Sequence, residues 1–174
     1  MPDLRLVYDF GNRFPRIGII IFPLLFILIG LVIFYYHKKF VKKNNNSNFG
    51  INKRTFGIVF GILFASFATL FSAFTITSNL NEYYRTKEVY DTKNYKVVEG
   101  IVKDFHPMSE GGHDSERFTV NGVPFSYSDY DLTDYGYNNS ASKGGAIADD
   151  IYVRIGYFDN GNRNVILKLE TLLK

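Results

Sequence analysis

The chain has 174 residues, a formal net charge of +3 and no cysteine. This length predicts one modest domain with appendages. The absence of cysteine excludes disulfides, thiolate metal ligands and cysteine nucleophiles. The net charge conceals two opposite halves, because residues 1–78 carry a net charge of +7 and residues 79–174 a net charge of −4. A nucleic-acid-binding domain concentrates positive charge on its folded part, so nucleic acid is not expected as a partner.

The first fifteen residues form an N-terminal arm with a brief apolar/polar alternation at Leu4, Leu6 and Tyr8. Turn-forming residues follow at Gly11 and Asn12. The pattern fits a short strand or an arm in the membrane interface, and a poorly ordered terminus is the alternative.

Two long charge-free stretches follow, at residues 17–36 and 55–81. At a helical rise of ~1.5 Å per residue, the first covers ~30 Å, the thickness of a bilayer core. It is also too long for the apolar part of a cleaved signal peptide. The second stretch predicts a helix of ~37 Å over residues 56–80, which exceeds what a bilayer needs and favours tilting. We therefore predict two transmembrane helices.

The connector between the two stretches, residues 37–55, contains six lysine or arginine residues and no acidic residue. Three arginines precede the first stretch, Arg5 and Arg13 in the N-terminal arm and Arg16 directly after it. The positive-inside rule therefore places the connector in the cytoplasm and both termini outside. Because the arm is also basic, the inverted topology is the alternative.

The second predicted helix has small residues at four-residue spacing, which lets two helix backbones approach closely. This stripe serves either homodimerisation or packing against the first helix of the same chain, and we favour the second interpretation. The stripe comprises Gly57, Gly61, Ala65, Thr69 and Ala73.

From residue 95 the pattern changes to alternation rich in β-branched residues, which is typical of strands. The segments YKVVEGIVKDF, ERFTV, VPFSY, IYVRIGY and NVILKLE predict five strands. Asn121-Gly122 between the second and third predicts a tight hairpin turn, because both residues accept positive φ angles. A long insertion rich in Gly, Asn, Ser and Asp separates the third strand from the fourth, and we expect its segment 140–145 to be a mobile loop.

The predicted fold is thus two transmembrane α-helices followed by a small all-β domain, a five-stranded OB-like or SH3-like barrel. The predicted organisation is an arm at residues 1–15, a two-helix anchor at 16–82, a linker at 83–94 and a soluble β-barrel domain at 95–174.

The segments VVEGIVKDFHPM, GGH, ERFTVNGVPFSYSDY, IYVRIGY and NVILKLE, within residues 95–170, resemble a family of small uncharacterised bacterial two-span membrane proteins. The resemblance implies a bacterial envelope protein and transfers no catalytic role. Together with the two predicted spans and the loop charges, it predicts a multi-pass protein of the cell (inner) membrane, with both termini and the β domain extracytoplasmic.

One loop could carry metal chemistry, because two imidazoles and two carboxylates lie close together in the sequence. These residues are His106, His113, Asp114 and Glu116. A metal-dependent hydrolase is therefore the alternative function. The His-x6-His spacing matches no established metal motif, so a solvated surface loop is favoured and no cofactor is predicted.

The favoured function is binding or scaffolding of an envelope component, because long loops within small domains often bind partners and clustered tyrosine is common in interfaces. The alternative role for the tyrosines is to cap the open end of the barrel. The expected partners are the lipid bilayer and either a second copy of the chain or another envelope protein. The predicted surface comprises His106, Met108, His113, Tyr127, Asp129, Tyr130, Tyr135 and Tyr137.

Overall fold

The computed structural model describes residues 3–42, 52–109, 111, 114–131 and 135–172. The chain divides into two compact units. One is a helical unit, Pro15–Asn81, and the other is a sheet unit that combines Met1–Phe14 with Glu82–Lys174.

The helical unit contains α1 (Ile17–Lys39) and the part of α2 (Lys53–Asp91) that precedes Glu82. Their most apolar windows have mean hydropathies of 3.2 and 2.1, and by length and composition both helices can cross a membrane. The prediction of two long apolar helices is confirmed to that extent. Helix α2 does not end with the apolar stretch, because it continues past Asn81 into the segment predicted as a linker.

Within the helical unit, the first part of the small-residue stripe packs against α1. A Cβ atom added to Gly61 would lie 2.7 Å from the backbone nitrogen of Phe34, and Gly30 approaches Ala65 equally closely. Gly57 lies under the ring of His37. These close approaches match the interpretation of the stripe as a packing surface within the chain.

The second part of the stripe leaves this seam. Thr69 and Ala73 are exposed, whereas Ala68, Ser72 and Asn79 are buried. Four helical residues turn through about 400°, so a strict four-residue repeat drifts by about 40° at each step. The buried positions instead follow a spacing near 3.5 residues, which keeps them on the side of α2 that faces α1.

Six antiparallel strands form the described sheet, and they lie in the order β1-β6-β5-β2-β3-β4. The sheet is not closed, and its edges are β1 and β4, so the type of barrel stays a prediction. The strands are β1 (Leu4–Asp9), β2 (Lys96–His106), β3 (Glu116–Val120), β4 (Val123–Tyr127), β5 (Tyr152–Asp159) and β6 (Asn164–Leu172).

The long strand β2 joins the two parts of the sheet. Its residues 96–101 pair with β5, and its residues 102–106 pair with β3. The register with β3 shifts between Lys103 and His106, where Asp104 has a φ of 55°. An irregularity of this kind bends a strand and increases its twist.

The predicted hairpin is confirmed, and alternate residues of β5 and β6 are buried. Asn121 and Gly122 connect β3 to β4 with φ angles of 47° and 78°, as a type I′ turn requires. Val153, Ile155 and Tyr157 of β5 are buried, and so are the alternate residues of β6, which are Val165, Leu167 and Leu169.

The N-terminal arm supplies the sixth strand. Strand β1 pairs with β6 from Leu4 opposite Leu172 to Asp9 opposite Lys168. Beyond it, the buried ring of Phe10 lies 5.9 Å from the ring of Tyr83 and 5.6 Å from that of Tyr90, both on α2. The sheet therefore has one strand more than predicted, because its last member comes from the other end of the chain.

A short hydrogen bond also fixes the arm, since the hydroxyl of Tyr90 donates to Oδ1 of Asp9 at 2.5 Å. This bond, followed by burial, raises the pKa of Tyr90 to about 12 from the usual 10.0. The folded state thus holds the phenolic proton more tightly than the unfolded state. The resulting stabilisation is complete below pH 10 and disappears as pH rises towards 12.

We predict that the wild-type protein loses about 1 kcal/mol of this stabilisation between pH 10 and pH 12, after discounting for solvent screening, and that Tyr90→Phe does not. Unfolding of both proteins in detergent micelles across this pH range measures the difference. Asp9→Asn is the matched variant, because it keeps Tyr90 and weakens its acceptor. It should move the ionisation of Tyr90, followed by near-ultraviolet absorbance, towards pH 10. An unchanged ionisation in Asp9→Asn would contradict the assigned bond.

Candidate binding groove and the tyrosine layer

Most of the predicted binding tyrosines lie in the core of the sheet unit. The exposed fractions are 3% for Tyr127, 3% for Tyr135 and 6% for Tyr137, and Met108 is equally buried at 3%. Tyr130 is 58% exposed and lies at the surface. The four buried side chains therefore do not line a surface for a partner. They are those of Met108, Tyr127, Tyr135 and Tyr137.

The buried tyrosines form two sets of edge-on ring contacts, which we call the tyrosine layer. The ring of Tyr137 lies 5.4 Å from that of Tyr127 and 5.6 Å from that of Tyr8 on β1. Tyr135 in turn contacts Tyr83, with 5.2 Å between ring centres. Perpendicular contacts of this kind are favourable beyond the buried area itself. The layer is part of the core of the sheet unit.

The hydroxyls of Tyr8, Tyr127 and Tyr137 have hydrogen-bond partners, as burial requires. Tyr8 donates to the carbonyl of Tyr135 at 2.8 Å, and the amide of Ala146 donates to the hydroxyl of Tyr137 at 2.8 Å. Burial raises the pKa of Tyr137 above its usual value. Its hydroxyl therefore stays protonated at physiological pH.

Glu116 is a fully buried carboxylate at the start of β3. Its Oε1 accepts a 2.5 Å hydrogen bond from Tyr127, and its Oε2 accepts one of 2.8 Å from the amide of Ala141. Burial, followed by the bond to Glu116, raises the pKa of Tyr127. Glu116 thus joins β3, β4 and the insertion.

Asp129 holds the adjacent residue of the insertion. Its two oxygens accept hydrogen bonds from the amide and the hydroxyl of Ser140, each at 2.6 Å. Lys143 lies 3.7 Å from the same carboxylate, and its ammonium sits 4.7 Å above the ring of Tyr130. Segment 140–145, for which a mobile loop is predicted, has these contacts and contains a short 3-10 turn at Ala141–Lys143.

The remaining predicted site residues that the structure describes form an exposed cluster at the end of β2. Nε2 of His106 lies 2.8 Å from Oδ2 of Asp114, and Arg117 lies 3.5 Å from Oδ1 of Asp114. The hydrogen bond from His106, followed by that from the Ser115 amide, holds the pKa of Asp114 below its usual value. The carboxylate is therefore ionised at physiological pH.

The four predicted metal ligands do not converge in the described part of the chain. Residues directly opposite each other share a face, so His106 and its partner Arg117 point the same way. Glu116 precedes Arg117 and points to the opposite face, into the core. His113 lies outside the described residues. Within the described residues, no group of three histidine or acidic side chains could hold a metal ion.

A groove of about 560 Å³ lies on the outer face of the β3–β4 hairpin, beside the turn between β5 and β6. Strand alternation explains its lining, because Arg117, Thr119 and Ser126 point away from the core. The lining residues with polar side chains include Asp104, Arg117, Thr119, Ser126, Arg163 and Asn164.

Two side chains at the start of β6 hold one wall of this groove in place. Arg163 donates to the carbonyl of Ser126 at 3.2 Å and pairs with Asp131 at 2.6 Å. Asn164 donates to the carbonyl of Pro124 at 2.8 Å. These bonds occupy the outward carbonyls of edge strand β4, which hinders pairing with a further strand there.

Sequence reasoning missed the groove. The alternation in ERFTV and VPFSY shows that Arg117, Thr119 and Ser126 share one face. It does not show that the β5–β6 turn packs beside that face, because this depends on the bend in β2.

No protein-family model, no curated protein and no solved structure matches this chain. The structural class of the protein is therefore described by its fold alone. The chain has two helices long and apolar enough to span a membrane, together with an antiparallel sheet that contains both its first and its last described segments.

We predict that Glu116→Gln lowers the free energy of unfolding by about 1–3 kcal/mol, because glutamine has one acceptor oxygen and cannot accept from both Tyr127 and Ala141. Hydrogen exchange at the Ala141 amide should accelerate in this variant. Glu99→Gln is the control, since Glu99 forms an exposed pair with Arg154 and should cost less than about 1 kcal/mol. Equal losses in the two variants would show that the Glu116 bonds do not hold the insertion.

Proposed function

We propose that this chain is an integral membrane protein of the bacterial envelope that uses its sheet unit as a binding or scaffolding module on the extracytoplasmic side. The bacterial envelope enters the proposal through the resemblance described above. The anchoring, the orientation and the binding role have separate support.

The pairing of β1 with β6 supports anchoring by both helices. These strands lie on opposite sides of α1 and α2 in the sequence, yet they are hydrogen-bonded neighbours. Two segments can pair only on the same side of a membrane. An even number of crossings between them satisfies this condition, and a hairpin of two spanning helices provides it.

The distribution of charge supports the orientation. The connector has six basic residues and no acidic residue, and no aspartate or glutamate occurs between Asp9 and Glu82. Short loops rich in lysine and arginine remain in the cytoplasm. The connector is therefore cytoplasmic in our proposal, and the sheet unit is on the other side.

The groove carries the binding role. Its volume of about 560 Å³ lies within the range of about 300–1,000 Å³ that is usual for ligand sites. It differs from small-molecule pockets in being open and in having both arginine and aspartate in its lining. These features suit a polar segment of another envelope protein better than a small apolar ligand.

A cysteine introduced at Asn162 tests the orientation, because the chain has no cysteine and gives no background labelling. A membrane-impermeant maleimide should label this variant in intact cells. A cysteine at the exposed position Lys53 is the matched control and should be labelled only after the membrane is permeabilised. The reverse pattern would establish the inverted topology.

Site-specific photo-crosslinking tests the groove. A photoreactive residue at Thr119 should form a covalent adduct with another envelope protein in membranes, whereas one at the exposed Val97 of β2 should not. Arg117→Glu should reduce the Thr119 adduct several-fold, because it reverses a charge in the groove. An adduct of the same size from both positions, unaffected by Arg117→Glu, would rule out the groove as the contact surface.

A further inference from the structure

The connector ends of α1 and α2 carry basic side chains with no acidic partner nearby in the sequence. The described ones are Lys38, Lys39, Lys42, Lys53 and Arg54. Between Asp9 and Glu82 the sequence contains no aspartate or glutamate. This entire stretch therefore supplies no carboxylate to balance the positive charges.

Several of these side chains are held against the helices. Nη2 of Arg54 donates to the carbonyl of Lys38 at 2.9 Å, which joins the end of α1 to the start of α2. The ammonium of Lys39 donates to the hydroxyl of Tyr35 at 2.9 Å. The ammonium of Lys38 lies 5.4 Å from the ring centre of Phe34. The charges are thus concentrated at the helix ends.

Arg54 and Asn52 each have one side-chain donor without an acceptor. Nε of Arg54 and Nδ2 of Asn52 are shielded from water and make no hydrogen bond in the structure of the described chain. The oxygen of the same Asn52 amide accepts from the Arg54 backbone at 2.9 Å, which directs its NH₂ group elsewhere. Shielded polar groups of this kind normally have a partner. Both are donors, so the partner they require is an acceptor.

We propose that Arg54 and Asn52 bind the phosphate of an anionic phospholipid headgroup, with Lys38 contributing positive charge. This inference rests on the proposed anchoring by both helices. A phosphate supplies several anionic oxygens, which suits an arginine Nε and an amide NH₂ together. The negative charge of the phosphate also balances the positive charge of Arg54 and Lys38, for which this stretch of the chain has no carboxylate.

The position of Arg54 identifies a lipid as the source of the phosphate. Arg54 directly precedes the charge-free stretch of α2, and Lys38 follows shortly after that of α1. In a spanning hairpin, residues at these positions lie at the level of the lipid headgroups. Phe40 and Phe56, which are exposed beside them, offer apolar surface to the acyl chains of the same lipid.

Native mass spectrometry of the full chain, purified from bilayers that contain equal amounts of phosphatidylglycerol and phosphatidylcholine, tests the proposal. The wild type should retain phosphatidylglycerol preferentially. Arg54→Gln should reduce this retention about tenfold, as expected for loss of one strong charge-assisted hydrogen bond. Asn52→Asp should also reduce it, because this change keeps the acceptor for the Arg54 amide and removes the NH₂ donor.

Lys53→Gln is the matched control, since it removes the same charge from an exposed side chain next to Arg54. It should retain phosphatidylglycerol as the wild type does. An equal loss of phosphatidylglycerol in Lys53→Gln and Arg54→Gln would indicate general electrostatic attraction and would overturn the proposal. No loss in either variant would overturn it as well, because Arg54 would then make no contribution to lipid binding. Stabilisation of the micellar protein by inorganic phosphate as strong as that by phosphatidylglycerol would overturn the lipid as the source.

Labelling of the Asn162 cysteine in the same variants separates this proposal from the proposed function. Normal labelling together with unselective lipid retention would overturn the lipid site and leave the topology intact. Failure of labelling in the wild-type background would overturn the topology whatever lipid is retained.

Discussion

The pairing of β1 with β6 is the constraint on which the sheet unit depends. It brings the beginning of the chain beside its end, with both apolar helices between them in sequence. The arm also contributes Tyr8 and Phe10 to the core, where they contact Tyr137, Tyr83 and Tyr90. The sheet therefore cannot be completed by the C-terminal segment alone, and any membrane topology must keep the two ends on one side.

The insertion between β4 and β5 is part of the core because two carboxylates hold it. Glu116 and Asp129 bind the backbone of the consecutive residues Ala141 and Ser140, while Tyr137 packs into the tyrosine layer. A segment rich in glycine, asparagine and serine has little apolar surface to bury, so polar bonds replace part of the usual packing. This arrangement leaves the opposite face of the β3–β4 hairpin exposed, where the groove lies.

In the helical unit, close backbone contact and unbalanced charge have different locations. Gly57, Gly61 and Ala65 allow the helices to approach, and the seam then continues through Ala68 and Ser72. Positive charge gathers at the connector ends, where Arg54 bonds to the end of α1. Contacts within the chain satisfy the seam, whereas Arg54 and Asn52 at the start of α2 keep two donors that have no acceptor in the described part of the chain.

Local patterns in the sequence determined the two apolar helices, the Asn121-Gly122 hairpin and the alternation that buries Val153 and Leu167, because each depends on neighbouring residues alone. Only the tertiary structure decided the roles of the arm, the tyrosines and Glu116. A six-residue strand has no preferred partner until the other strands are in place. A tyrosine suits an interface and a core equally well, because its ring is apolar and its hydroxyl needs one hydrogen bond. Glu116 was a candidate metal ligand because it lies near His106 in the sequence, but strand alternation directs its side chain towards Tyr127 and away from His106. The groove depends on the bend at Asp104 and on a turn some forty residues from the hairpin that it adjoins, which no local pattern encodes.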